Sequence, residues 1–73
     1  MIAVLAGNRY EFKRWCEDHA GDEKNSRYIN GLKDFAGHVF ESYEIIGTFW
    51  AREDSSYLWF EVRIRIRETS YGT

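Results

Sequence analysis

The 73-residue chain reads as a small α/β domain built on a parallel sheet. Three observations predict this. Ile2-Ala3-Val4-Leu5-Ala6 is an unbroken apolar run, the pattern of a strand covered on both faces. The run ends at Gly7 and passes straight into Asn8-Arg9-Tyr10-Glu11, the opening of a capped helix. Two further β-compatible segments follow, near residues 27–30 and 43–50, and right-handed crossovers then order the sheet 2-1-3 with the first strand central.

Each element has a local reason. Asn8 is a good N-cap, and Glu11, three residues on, completes a capping box. Phe12, Trp15, Cys16 and His19 then fall on one face of a helix spanning about 9–19, with Lys13, Arg14, Glu17 and Asp18 on the other. Ala20-Gly21 is expected to end it, since glycine accepts the left-handed conformation found at helix ends. After a polar loop at 22–25, Ser26-Arg27-Tyr28-Ile29-Asn30 suits a short strand closed by Gly31. Leu32, Phe35, Ala36 and Val39 show helical spacing, but Gly37 costs about 1 kcal/mol relative to alanine in a helix. One or two turns and a loop are expected there.

Tyr43-Glu44-Ile45-Ile46-Gly47-Thr48-Phe49-Trp50 reads as the third strand. Residues 52–56 are a polar break. From Tyr57 to Glu68 two patterns compete. Phe60, Val62, Ile64 and Ile66 alternate with Glu61, Arg63, Arg65 and Arg67, which predicts a strand forming a hairpin with the third. A helix would instead carry Leu58, Val62 and Ile66 at i+4 spacing, capped by Asp54 or Ser55. Pattern alone favours the strand. Residues 1–68 form one domain in this scheme, with 69–73 as a disordered tail.

Composition narrows the function classes. Three Trp, five Tyr and five Phe make 18% of a very short chain, so some rings must stay partly exposed and offer an interaction surface. A net charge of −2 gives no global attraction to nucleic acid or anionic lipid. Cys16, the single cysteine, forms no internal disulfide and suits a reducing compartment. No charged-then-apolar leader or long apolar span is legible, and a cytoplasmic location is expected.

The set Ile2-Ala3-Val4-Leu5-Ala6-Gly7-Asn8, Phe12 with Trp15-Cys16, Ser26-Arg27-Tyr28-Ile29, and Gly47-Thr48-Phe49-Trp50 followed by Arg52 and Asp54 resembles small uncharacterised proteins of bacteriophage genomes, over residues 2 to about 60. The resemblance implies a phage or prophage accessory protein working in a bacterial cytoplasm. Members usually continue from the Arg-x-Asp position into a final helix, whereas the alternating arginines here suit a strand.

Candidate sites follow from this topology. Gly7-Asn8-Arg9 stands where a dinucleotide fold grips pyrophosphate, but the fingerprint's later glycines are replaced by Arg9 and Phe12, and no Walker-type loop is present. A tight strand-to-helix turn explains Gly7 more simply. In the expected order, Asn8, Arg9, Thr48, Trp50, Arg52 and Asp54 converge on one rim at the switch point, which suits a protein hot spot, a small anion such as a nucleotide, or equally ordinary strand-end capping with Arg52 and Asp54 solvated. Trp50 and Arg52 are expected to matter more for partner binding than for folding.

Other constellations are thinner. Cys16 and His19 lie one helical turn apart, but His38 is the only other histidine, so a closed zinc site lacks ligands and a Cys/His nucleophile lacks its orienting group. Neither metal, cofactor nor catalytic residue is assigned. Arg63, Arg65 and Arg67 with Trp59 could hold single-stranded nucleic acid, yet Glu61 and Glu68 interrupt the row, and an alternating charged edge that deters aggregation explains it better. The expected function is therefore non-enzymatic: binding and modulating a host or phage protein, with self-association also open. A nucleotide-binding module is the alternative, and nucleic acid ranks third.

Overall fold

A computed structural model describes residues 1–71, with side chains through residue 66. Strand β1 (Ile2–Leu5) leads into helix α1 (Arg9–Asp18), strand β2 (Ser26–Tyr28), strand β3 (Ser42–Ile45) and helix α2 (Ser55–Tyr71). Short 3-10 turns at Glu23–Asn25, Leu32–Phe35 and Phe49–Ala51 connect them. The sheet is parallel and ordered β2-β1-β3, as the apolar first run requires. Ile2 stands opposite Ser26 on one side and Ser42 on the other, and Val4 opposite Tyr28 and Glu44.

Three layers result, because β1 side chains alternate between two cores. Val4 points to α1 and packs with Trp15 and Cys16, backed by Ile2, Phe12 and Ile46. Ala3 and Leu5 point the other way and pack with Ile29, Phe35, Phe40, Phe49, Leu58 and Val62. Ala3, Val4, Leu5 and Ala6 are wholly buried.

The last segment corrects the strand expected from alternation at 57–68: it is α2. The topology supplies the reason. With α1 on one face of β1, a hairpin in the sheet plane would leave Ala3 and Leu5 bare, whereas a helix covers them with Leu58 and Val62. Local pattern lost to the need for a second layer. α2 continues through Tyr71, past the expected boundary at 68, and residues 72–73 of the expected tail lie outside the described residues.

Other boundaries move for local reasons. The third strand stops at Ile45 rather than residue 50, because Gly47 turns the chain in the left-handed region (φ 57°) and Phe49 enters the core from a 3-10 turn. β2 ends at Tyr28, although the Ile29 N–H still donates to Val4 O at 3.0 Å. α1 closes at Asp18 without a left-handed glycine. The His19 N–H donates to Trp15 O (2.9 Å) and Cys16 O (3.2 Å), and only Gly37 and Gly47 have positive φ among the described residues.

Candidate functional site

The switch-point crevice between the ends of β1 and β3 is where an α/β fold presents free N–H groups to a ligand anion. Here an internal carboxylate fills it. Asn8 caps α1, its Oδ1 accepting from the Glu11 N–H at 3.0 Å. That geometry throws the Glu11 side chain back over Gly7. The Gly7 N–H donates to Glu11 Oε1 at 2.8 Å, and the Thr48 N–H donates to Oε2 at 3.0 Å. The Thr48 hydroxyl donates to Oε1 at 3.1 Å. A Cβ at Gly7 would strike Thr48 and Glu11, and one at Gly47 would strike the Glu11 carboxylate, so both glycines leave room for this clasp.

Partial desolvation would raise the Glu11 pKa, but the Thr48 N–H and hydroxyl and the Gly7 and Asn8 N–H groups outweigh it and hold the carboxyl below its usual range. A depressed carboxylate stabilises the fold above its unfolded pKa and loses that contribution as pH falls through the folded value. The stability advantage of wild type over Glu11→Gln should therefore be full at neutral pH and shrink below about pH 4. Urea titrations of both proteins across that range check this; a difference that stays constant with pH would show that the clasp does not depend on charge. The Gly7 and Thr48 N–H groups at this crevice are thus engaged by the chain's own carboxylate.

The expected rim residues divide into separate environments. Asn8 and Thr48 belong to the Glu11 clasp. Arg52 and Asp54 form a bidentate pair at 2.8 and 2.9 Å. The same guanidinium reaches two backbone carbonyls, donating to Ala6 O through Nη1 (3.3 Å) and to Asn30 O through Nη2 (2.7 Å). Its side chain is only 15% exposed, and the hydrogen bonds to Asp54 push its pKa further up. Arg52 is thus a staple joining the end of β1, the loop after β2 and the start of α2. These bonds give Arg52 a part in the fold, beside the partner role expected of it.

Arg9 points elsewhere. It lines a polar groove of about 460 Å³ with Phe12 on α1 and Arg27, Tyr28, Asn30 and Asp34 on the β2 side. Asp34 is a residue that sequence reasoning missed: its carboxylate accepts from the Asn30 N–H (2.7 Å), the Gly31 N–H (3.0 Å) and Arg27 Nη2 (3.2 Å). The signal was its position three residues after Gly31, an acceptor within reach of the turn's own N–H groups. Burial pushes the Cys16 thiol up, away from the reactive thiolate, and the His19 ring lies stacked on Trp15 at 4.3 Å.

Trp50 alone of the six projects outward from the α2 face, and it has company. Trp50, Tyr57 and Phe60 are each more than half exposed, at 54, 54 and 56%. With Trp59 they line a shallow groove of about 550 Å³. Trp50 and Trp59 meet edge to face, 5.8 Å apart at 63°. Phe60 also borders a second groove of about 400 Å³ with Tyr43, Arg63, Ile64 and Ile66, so the two form one strip along α2 and the exposed flank of β3. Sequence reasoning missed this strip because a strand assignment hides it. In a helix Tyr57, Phe60 and Ile64 fall at i, i+3 and i+7, beside the buried Leu58 and Val62.

No helix among the described residues is long and apolar enough to cross a membrane. Comparison with known proteins finds no matching family model, curated relative or solved structure, so the function has to be argued from these surfaces.

Proposed function

We propose that the chain acts by protein–protein interaction, as a phage-type accessory protein that binds and modulates a host or phage protein in the bacterial cytoplasm. The observation that carries this is the aromatic strip: Trp50, Tyr57 and Phe60, each more than half exposed, side by side on one face. Large rings left in water on a domain that buries Phe35, Phe40 and Phe49 completely are a surface with something to cover it. Trp and Tyr are also the residues most enriched at interface hot spots. The supporting geometry is the rigidity beneath them. Phe49 is fully buried and its ring meets Trp50 at 5.2 Å, so the exposed indole is seated on the core.

The test uses the immobilised full chain, a lysate of a bacterial host and the variants Trp50→Ala and Phe60→Ala. Both variants should melt close to wild type, since exposed substitutions usually change stability by about 0.5 kcal/mol or less. Both should lose most of the protein that the wild type retains, and the loss should recur with that protein purified. Full partner yield from both folded variants would move the interface elsewhere.

A further inference from the structure

We infer that Glu11 is a positioning residue for the recognition surface: from α1 it sets the direction of the turn that presents Trp50. This rests on the protein-binding reading above and adds the residue that orients its exposed indole.

Trp50 lies in the 3-10 turn Phe49–Ala51, which joins β3 to α2. Inside the turn the bonds are local. The Phe49 N–H donates to Ile46 O at 3.3 Å, and the Ala51 N–H donates to Thr48 O at 3.0 Å. Bonds of this kind shape a turn without fixing its direction relative to the rest of the domain. Direction needs anchors outside it. Fully buried Phe49 is one, and Arg52, bonded to Ala6 O and Asn30 O, holds the exit. Neither fixes the entry.

The entry is Gly47-Thr48. Gly47 lies in the left-handed region (φ 57°), a backbone free to pivot, and Thr48 is exposed. A threonine at the head of a helical turn commonly caps it with its own hydroxyl. Thr48 does not; its side chain turns to α1 instead. The Thr48 N–H donates to Glu11 Oε2 at 3.0 Å and its hydroxyl to Oε1 at 3.1 Å, across 37 residues of sequence.

Two residues beyond Thr48, the Trp50 ring meets Phe49 at 5.2 Å and Trp59 of α2 at 5.8 Å, both edge to face. Aromatic contacts of this kind depend on ring angle, so a rotated turn would break them. Glu11 itself lines neither aromatic groove. It acts through Thr48, and a helix on one face of the sheet thereby orients a ring on the other.

The experiment follows the indole N–H groups of the full chain by NMR, together with proton–proton contacts between the Trp50 and Trp59 rings. Trp50→Ala assigns the signal. The test variants are Glu11→Gln and Thr48→Val, with Thr48→Ser as the conservative one. Cys16→Ala is the comparison, since it loosens α1 from its core without touching Thr48. Glu11→Gln and Thr48→Val should both shift the Trp50 indole and weaken its contact with Trp59 in a chain still folded by circular dichroism. The milder Thr48→Val keeps the test decisive if Glu11→Gln does not fold. Thr48→Ser, which retains the hydroxyl, should restore what Thr48→Val loses. Cys16→Ala should leave the Trp50 signal in place. For the purified protein that wild type retains through Trp50, Glu11→Gln should lower affinity between about twofold and thirtyfold, the range of coupling carried through bonded contacts.

An unchanged Trp50 signal in the folded test variants overturns the proposal, and the clasp then serves stability alone. An equal shift in Cys16→Ala overturns it as well, as a general loosening of the domain. Trp50-dependent capture that Glu11→Gln leaves at full strength also overturns it, with the protein-binding reading still standing. Absence of any Trp50-dependent capture removes that reading and the recognition role of Glu11 together.

Discussion

Trp15→Ala is expected to lower the unfolding free energy by about 3–5 kcal/mol, the cost of removing a large buried aromatic. Trp15 is 5% exposed and fills the centre of the α1-side core with Val4 and Cys16. Its ring stacks near Phe12 at 6.4 Å and against His19 at 4.3 Å. Its indole N–H donates to Glu44 Oε2 at 2.7 Å, tying α1 to β3 across 29 residues of sequence. Truncation would therefore open a cavity and remove an inter-element bond at once. Whole-domain stabilities run from about 5 to 15 kcal/mol, and a chain this small sits toward the lower end. Far-UV circular dichroism during urea denaturation should show Trp15→Ala largely unfolded where wild type is intact. Lys13→Ala, on the exposed face of the same helix, should stay within about 0.5 kcal/mol of wild type. Similar small effects from both would mean that the helix does not carry that core.

Arg52→Ala should destabilise by about 3 kcal/mol, because hydrogen bonds to a charged group are worth about 1.5–3 kcal/mol and several are lost together. The substitution removes the donors to Ala6 O and Asn30 O and strips Asp54 of its counter-ion. Arg52→Lys should recover little. An ammonium cannot hold a carboxylate bidentately while also reaching two carbonyls set apart by the fork of a guanidinium. Thermal unfolding of both variants is the measurement, and melting at the wild-type temperature would show the staple to be ornamental to the fold. The contrast with Trp50→Ala is the informative part. Two residues two positions apart should separate cleanly, one affecting folding and the other recognition.

Much of the architecture was legible because it follows from short-range chemistry. An apolar run with no polar face has to be central, and Asn8 with Glu11 has to begin a helix, so β1, α1 and the 2-1-3 order could be read off. The final element could not. Phe60, Val62, Ile64 and Ile66 satisfy a two-residue period, and Leu58, Val62 and Ile66 a helical one, so the decision rested on which face of β1 still lacked cover. The candidate site suffered from the same gap. Thr48 and Glu11 are 37 residues apart, and nothing local shows that a capping carboxylate will also close the crevice. Arg52 looked like a surface arginine because its acceptors are main-chain carbonyls, which every residue type carries alike. Trp50 was recognised as outward-facing, but its neighbours on α2 became visible only once the helix was known.

The two faces of β1 are covered by segments made at very different points along the chain, and this has a consequence for how the domain is made. α1 follows β1 at once, so the Val4 face can be sheltered early in synthesis. The Ala3 and Leu5 face must wait for Phe35, Phe40, Phe49 and finally α2. Both neighbours of β1 are parallel partners reached only through crossovers, so the nascent chain cannot complete its sheet before residue 45. A half-synthesised chain thus carries an apolar strand with one bare face and open edges, the kind of intermediate prone to aggregation or chaperone capture. Synthesis that stalls between β3 and α2 would leave the protein in its most vulnerable state, and a faster passage through residues 46–62 would shorten that exposure.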